Sequence, residues 1–117
     1  MDTTDRYALD HVALAASDTS PALKLLTGRL GGTVIFGGAG PGFRPMQVWV
    51  GDHAGDGMSI ELLEPWDTEH NDFLERFLTR NGEGPHHLTF KVDDLEATLL
   101  RLTEVGLTPV AVDLSQP

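Results

Sequence analysis

The chain has no cysteine. Disulfides, thiolate metal sites and cysteine nucleophiles are therefore excluded, and any metal must be held by His, Asp or Glu. Basic residues are scarce: eight Lys and Arg stand against eighteen Asp and Glu, a formal charge of −10. Such a surface repels nucleic-acid phosphates and anionic membranes, and neither is expected as a partner. Most of the carboxylates are expected to form a solvated face that keeps the chain dissolved. No apolar run approaches the ~20 residues that cross a bilayer. MDTTDRY at the N-terminus lacks a basic segment followed by an apolar one, so a cytoplasmic protein is expected.

What is present suits one domain with a single core, since 117 residues with 40% apolar content are ordinary for a globular fold. Leu9 to Ala16 reads as a strand, with Val12 and Leu14 on one side and His11 and Ala13 on the other. Ser20 as cap, Pro21, and the stripe Leu23, Leu26 and Leu30 predict a helix that Gly31-Gly32 ends. Thr33 to Gly37 and Met46 to Val50 predict a hairpin whose long tip is Gly37 to Pro45. Met58 to Glu64 is a further strand, with Ser59, Glu61 and Leu63 on one face and Pro65 at its end.

Asn71 to Arg80 places Phe73, Leu74, Phe77 and Leu78 at helical spacing before Asn81-Gly82, and the phenylalanines read as core. The following GEGPHHLTFKVDD, Gly82 to Asp94, opens on a turn and puts a histidine pair at the start of a strand. Alternation sorts His86, Leu88, Phe90 and Val92 onto an apolar face expected to meet helices, and His87, Thr89 and Lys91 onto the other. Two adjacent histidines at a strand start are more often exposed polar residues than ligands. Asp93 and Glu96 suggest a capped helix with Leu95, Leu99 and Leu102 in its stripe, ending at Gly106, and Leu107 to Leu114 suggests a further strand.

This repeated order, with a histidine early in the first strand of each half, resembles the vicinal oxygen chelate superfamily of glyoxalases, bleomycin-resistance proteins and extradiol dioxygenases. Within it, the chain looks most like methylmalonyl-CoA epimerase-like members. The residues that carry the resemblance are LDHVALA at 9–15, IELLEP at 60–65, FLERFLTRNGEGPHHLTFKVDD at 73–94 and the helix after them.

The resemblance implies an α+β domain over residues 1–117. A βαβββ module at about 7–66, a linker helix at about 69–82 and an incomplete second module at 83–117 would form a curved mixed sheet with helices on its outer face. It implicates His11, Glu61 and His87 as ligands of a divalent metal (Co, Ni, Zn, Mn or Fe), with Glu61 also catalytic. The implied activity is isomerase, epimerase or lyase chemistry on a small oxygenated acid or acyl thioester, through a metal-stabilised enolate. Arg44, Gln47 and Trp49 are candidates for binding substrate, Arg44 from a flexible loop and the other two from one strand face.

The sequence departs from the family pattern twice. The chain stops before the strand that carries the family's fourth ligand, and no acid lies between Gly37 and Gly51, where the epimerases have a catalytic glutamate. A truncated chain, a sheet completed by a second copy, or a degenerate member would each explain the stop. A non-catalytic protein that binds or sequesters a small molecule is the competing function. An open sheet edge favours a homodimer.

Overall fold

A computed structural model describes residues 6–52 and 55–110. The elements run β1 (Tyr7–Ala15), α1 (Ser20–Lys24), β2 (Thr33–Gly37), β3 (Phe43–Gly51), β4 (Gly57–Pro65), α2 (Phe73–Asn81), β5 (Gly84–Val92) and α3 (Leu95–Glu104). The strands form one mixed sheet in the order β2-β3-β4-β1-β5, with β1 parallel to β4 and antiparallel to β5. This is an α+β fold.

Alternation in β1 and β4 divides the core between the two sides of the sheet. On one side Leu26, Val48 and Leu62 are buried together, with Leu14, Ala22 and Leu23 packed around them, so this side is covered by α1 and the turn after it. On the other, Ala13, Ala15 and Leu63 pack against Leu74 of α2, with Phe43, Phe73 and Phe77 at the margin. His11, Ser59 and Glu61 lie on the α2 side, each less than a tenth exposed. The alternation expected for β1 and β4 is therefore observed.

Several local expectations are corrected. The first helix widens into a π-type turn over Leu25–Arg29 rather than running regularly to Leu30. Ser20 is its first residue and not its cap, and Thr19 in front of it gives its hydroxyl to Glu64. The hairpin tip is shorter than read, because β3 begins at Phe43. Pro45 is tolerated inside β3 because β2 pairs only from Met46 onward, which leaves the proline nitrogen on an unpaired edge. The third helix is capped by Asp94, whose carboxylate accepts from the Ala97 N–H. Asp93 instead prolongs the sheet, donating its N–H to the carbonyl of Arg6. Residues 107–110 are irregular rather than strand, and residues 111–114 of the expected last strand lie outside the described residues.

The apolar face of β5 is not covered as expected. Leu88 is 60% exposed and Phe90 51%. In the first half, β3 and β4 form the floor on which α1 packs; among the described residues, no strands stand beside β5 to do the same for α3.

Gly42 sets how closely α2 can approach the sheet. Its φ of +88° belongs to the left-handed region, and an added Cβ would collide with the carbonyl oxygen of Asn71, just ahead of α2. Gly42→Ala is expected to destabilise the fold by about 2 kcal/mol through backbone strain and displacement of α2. Urea unfolding of the two proteins measures this, and an unchanged midpoint would show that α2 is not held at this point.

Candidate metal centre

Three strands converge on one place in the sheet. In register, Ala13 of β1 faces both Glu61 of β4 and His87 of β5, while His11 lies two residues before it on the same side. His11 Nε2 is 3.3 Å from Glu61 Oε1, and His87 Nε2 is 3.7 Å from the same oxygen. The two imidazoles meet edge to face, 5.8 Å between centroids. One donor atom from each residue lies within 4.8 Å of the others.

The donor chemistry fits a divalent transition metal: two imidazole nitrogens and one carboxylate oxygen, a set that suits Zn²⁺ and its neighbours and leaves positions open. Burial keeps the His87 imidazole below the ordinary histidine range, against the opposing pull of Glu61. It favours the neutral ring that metal binding needs.

Both histidines are oriented through their other nitrogen. His11 Nδ1 donates to Asp10 Oδ2 at 2.8 Å. This hydrogen bond is the main reason the Asp10 carboxyl is held below its usual range. His87 Nδ1 lies 2.7 Å from His86 Nδ1, one of the two rings donating to the other. Burial is also the main cause that lowers His86, with His87 adding to it.

Each of these partners sits at a register shift, the first between Leu9 and His11 and the second between Ala13 and Leu14, where His86 has no partner of its own. A bulge turns a residue out of strict alternation. His86 therefore does not join Leu88 and Phe90 on the apolar face, as alternation predicts. Its ring lies 4.6 Å from that of Phe77 and lines the same cleft as His87.

The cleft has a volume of about 480 Å³, and Phe43, Leu63 and Phe73 form its apolar wall. Phe73, read from sequence as core, does both jobs: it packs against the buried cluster and faces the cleft. Asp10, His86, Phe43 and Thr89 were not singled out for this site by sequence reasoning. Only the adjacency of Asp10 to His11 and of His86 to His87 could have signalled them.

The expected substrate-binding residues separate. Gln47 pairs with Glu61 across β3 and β4, and Trp49 pairs with Ser59, so both lie on the side of the three donors. Arg44 lies on the other side, ion-paired with Glu64 and stacked 4.6 Å over the ring of Trp66. Glu64 also accepts from the backbone and hydroxyl of Thr19. The backbone bond is the largest cause holding the Glu64 carboxyl below its usual range, with Arg44 adding to it. The structure thus brings together His11, Glu61, His87, Gln47 and Trp49 and leaves Arg44 apart.

Residues 10–116 match the Glyoxalase/Bleomycin resistance protein/Dioxygenase superfamily. Among solved structures, methylmalonyl-CoA epimerase from Mycobacterium tuberculosis is 29% identical at a TM-score of 0.69, the match covering 84% of this chain and 63% of that one. A variant of Streptomyces coelicolor methylmalonyl-CoA epimerase in complex with 2-nitronate-propionyl-CoA is 25% identical at 0.68, covering 85% of this chain and 69% of that one. No curated protein matches. Among the described residues, no helix is long and apolar enough to cross a membrane.

Proposed function

Because this chain belongs to the Glyoxalase/Bleomycin resistance protein/Dioxygenase superfamily, we propose that it is a metal-dependent isomerase or epimerase acting on a small oxygenated acid or acyl thioester. The observation that carries this reading is the convergence of His11 Nε2 and His87 Nε2 on Glu61 Oε1. His11, Glu61 and His87 would hold the cation. When bound, a divalent cation supplies positive charge that favours loss of a proton from the carbon beside a substrate carbonyl.

The chain's own residues supply the rest. Asp10 and His86 hold the two imidazoles with Nε2 turned inward. Phe43, Leu63 and Phe73 keep water from one side of the reacting carbon and offer an apolar surface to its substituent. Glu61 would hold the cation through one carboxylate oxygen and carry a proton with the other from one substrate carbon to its neighbour on the same face, the step of an isomerase. No acid lies between Gly37 and Gly51 to serve as a second base. Exposed apolar side chains on β2 and along the β5 edge support assembly as a homodimer.

Solvent-exchange measurement tests the reading. The Co²⁺-loaded protein, in deuterium oxide, is expected to introduce deuterium beside the carbonyl of a 2-substituted acyl thioester or 2-hydroxy ketone, and the metal-free protein is not. Stoichiometric Co²⁺ uptake without exchange on any such compound would establish the alternative, a protein that binds its ligand without reacting. Failure to retain Co²⁺ would overturn both the ligand set and the chemistry.

A further inference from the structure

A second pocket, of about 560 Å³, opens on the same side of the sheet next to the three donors. Register makes the two neighbours. Ser59 pairs with His11 across the parallel strands and with Trp49 across the antiparallel ones, and Gln47 pairs with Glu61. Asp10, Gln47, Trp49, Ser59 and Lys91 line the pocket.

Three features mark it as built for a ligand. Ser59 is only 8% exposed, yet among the described residues neither its hydroxyl nor the Gln47 carboxamide has a hydrogen-bond partner. Among the described residues no fully buried side-chain nitrogen or oxygen is unpaired, so the hydroxyl opens into the pocket. A hydroxyl that opens into a pocket without a protein partner is available to bond a ligand group. Second, the Trp49 ring is tethered by its N–H to the carbonyl of Asp52 at 3.4 Å, which fixes a flat apolar wall.

Third, Lys91 is the one ammonium or guanidinium group that lines either this pocket or the metal cleft. Its Nζ is 3.5 Å from Asp10 Oδ1, which holds it at the rim. An ammonium has three protons, and the Asp10 contact leaves others to point inward. The other Asp10 oxygen is occupied by His11.

Thr89 pairs with His11, and Lys91 lies two residues further along β5. At ~3.3 Å per residue, the lysine stands roughly 7 Å along the sheet from the level of His11, the span of an extended chain of about five or six carbon-carbon bonds.

We propose that this pocket is a subsite for a carboxylate-bearing arm of the substrate. Lys91 pairs with the distal carboxylate, Ser59 and Gln47 hydrogen-bond the arm, and Trp49 lies along its methylenes. The substrate class narrows from oxygenated acids in general to those with a second anionic end. This rests on the metal reading above.

A pair of six-carbon 2-oxo acids, titrated into Co²⁺-loaded protein by calorimetry, tests it. 2-Oxoadipate carries the distal carboxylate and 2-oxohexanoate does not. Lys91 is 80% exposed in its side chain, and 2-oxoadipate is expected to bind about two- to fivefold tighter, the range of a largely exposed ion pair aided by a hydrogen bond. Lys91→Met is expected to abolish that preference while the protein still takes up stoichiometric Co²⁺, and Ser59→Ala to reduce it. Equal affinities in the parent protein, or a preference that survives Lys91→Met, would overturn the subsite and leave the metal reading standing. Absence of Co²⁺ uptake would sink both.

Discussion

Glu61→Gln is expected to lower Co²⁺ affinity by more than about a hundredfold while the chain still folds. The carboxylate is the hub of the cluster, its Oε1 within 3.7 Å of both imidazole nitrogens. Glutamine keeps the volume and hydrogen-bonding capacity of the side chain but removes the anion that offsets the cation's charge in a poorly hydrated place. Partners outside the ligand set already alter affinity by ~10–100-fold, so loss of a ligand should exceed that. Calorimetric Co²⁺ titration measures the effect, with far-ultraviolet circular dichroism as the check on folding. Parent-like Co²⁺ affinity in the variant would remove Glu61 from the ligand set. His11→Ala and His87→Ala carry less decisive information, because each also frees its orienting partner.

Leu74→Ala is expected to cost about 3–4 kcal/mol. Leu74 is fully buried and joins Ala13, Ala15 and Leu63 in the cluster that fastens α2 to the sheet. Its neighbours there are small or fixed by strand pairing, so the space left by the deleted methyl groups cannot readily collapse, which keeps the loss clear of the lower end of the usual range. Against the ~5–15 kcal/mol that stabilises a domain, this is a large share. Denaturant unfolding checks it. The cleft should loosen too, since Phe73 lies next to Leu74 on α2 and forms part of its wall. A loss below 1 kcal/mol would mean that α2 is held by its flanking phenylalanines alone.

Alternation made much of the site legible. His11 and Ala13 could be placed on the opposite side from Val12 and Leu14 because β1 is flanked by strands on both sides, buried on one face and half-buried on the other, conditions under which a period of two is enforced. The same logic placed Ser59 and Glu61. It failed at His86 because a bulge at the start of β5 carries no signature in residue type; its cause is the pairing with β1, a long-range contact. It overreached at Leu88 and Phe90, whose apolar character does not say whether a neighbour is there to cover them. Arg44 stands apart from the three donors for another reason. The glycines and prolines around it read as a loose loop, whereas Glu64 and Trp66, distant in sequence, draw it to the far side of the sheet.

Ala13 is the residue that all three strands share, in register with Glu61 on one side and His87 on the other, and it is completely buried. It donates no atom to any ligand. Its single methyl group instead packs with Ala15, Leu63 and Leu74, so any longer side chain there would press on the strands that carry the three donors. The spacing of the three side chains therefore depends on a residue whose contribution is to be short. A search for chemically active side chains passes over such a position, while a change there from alanine to valine would shift the strands with all three donors still in place.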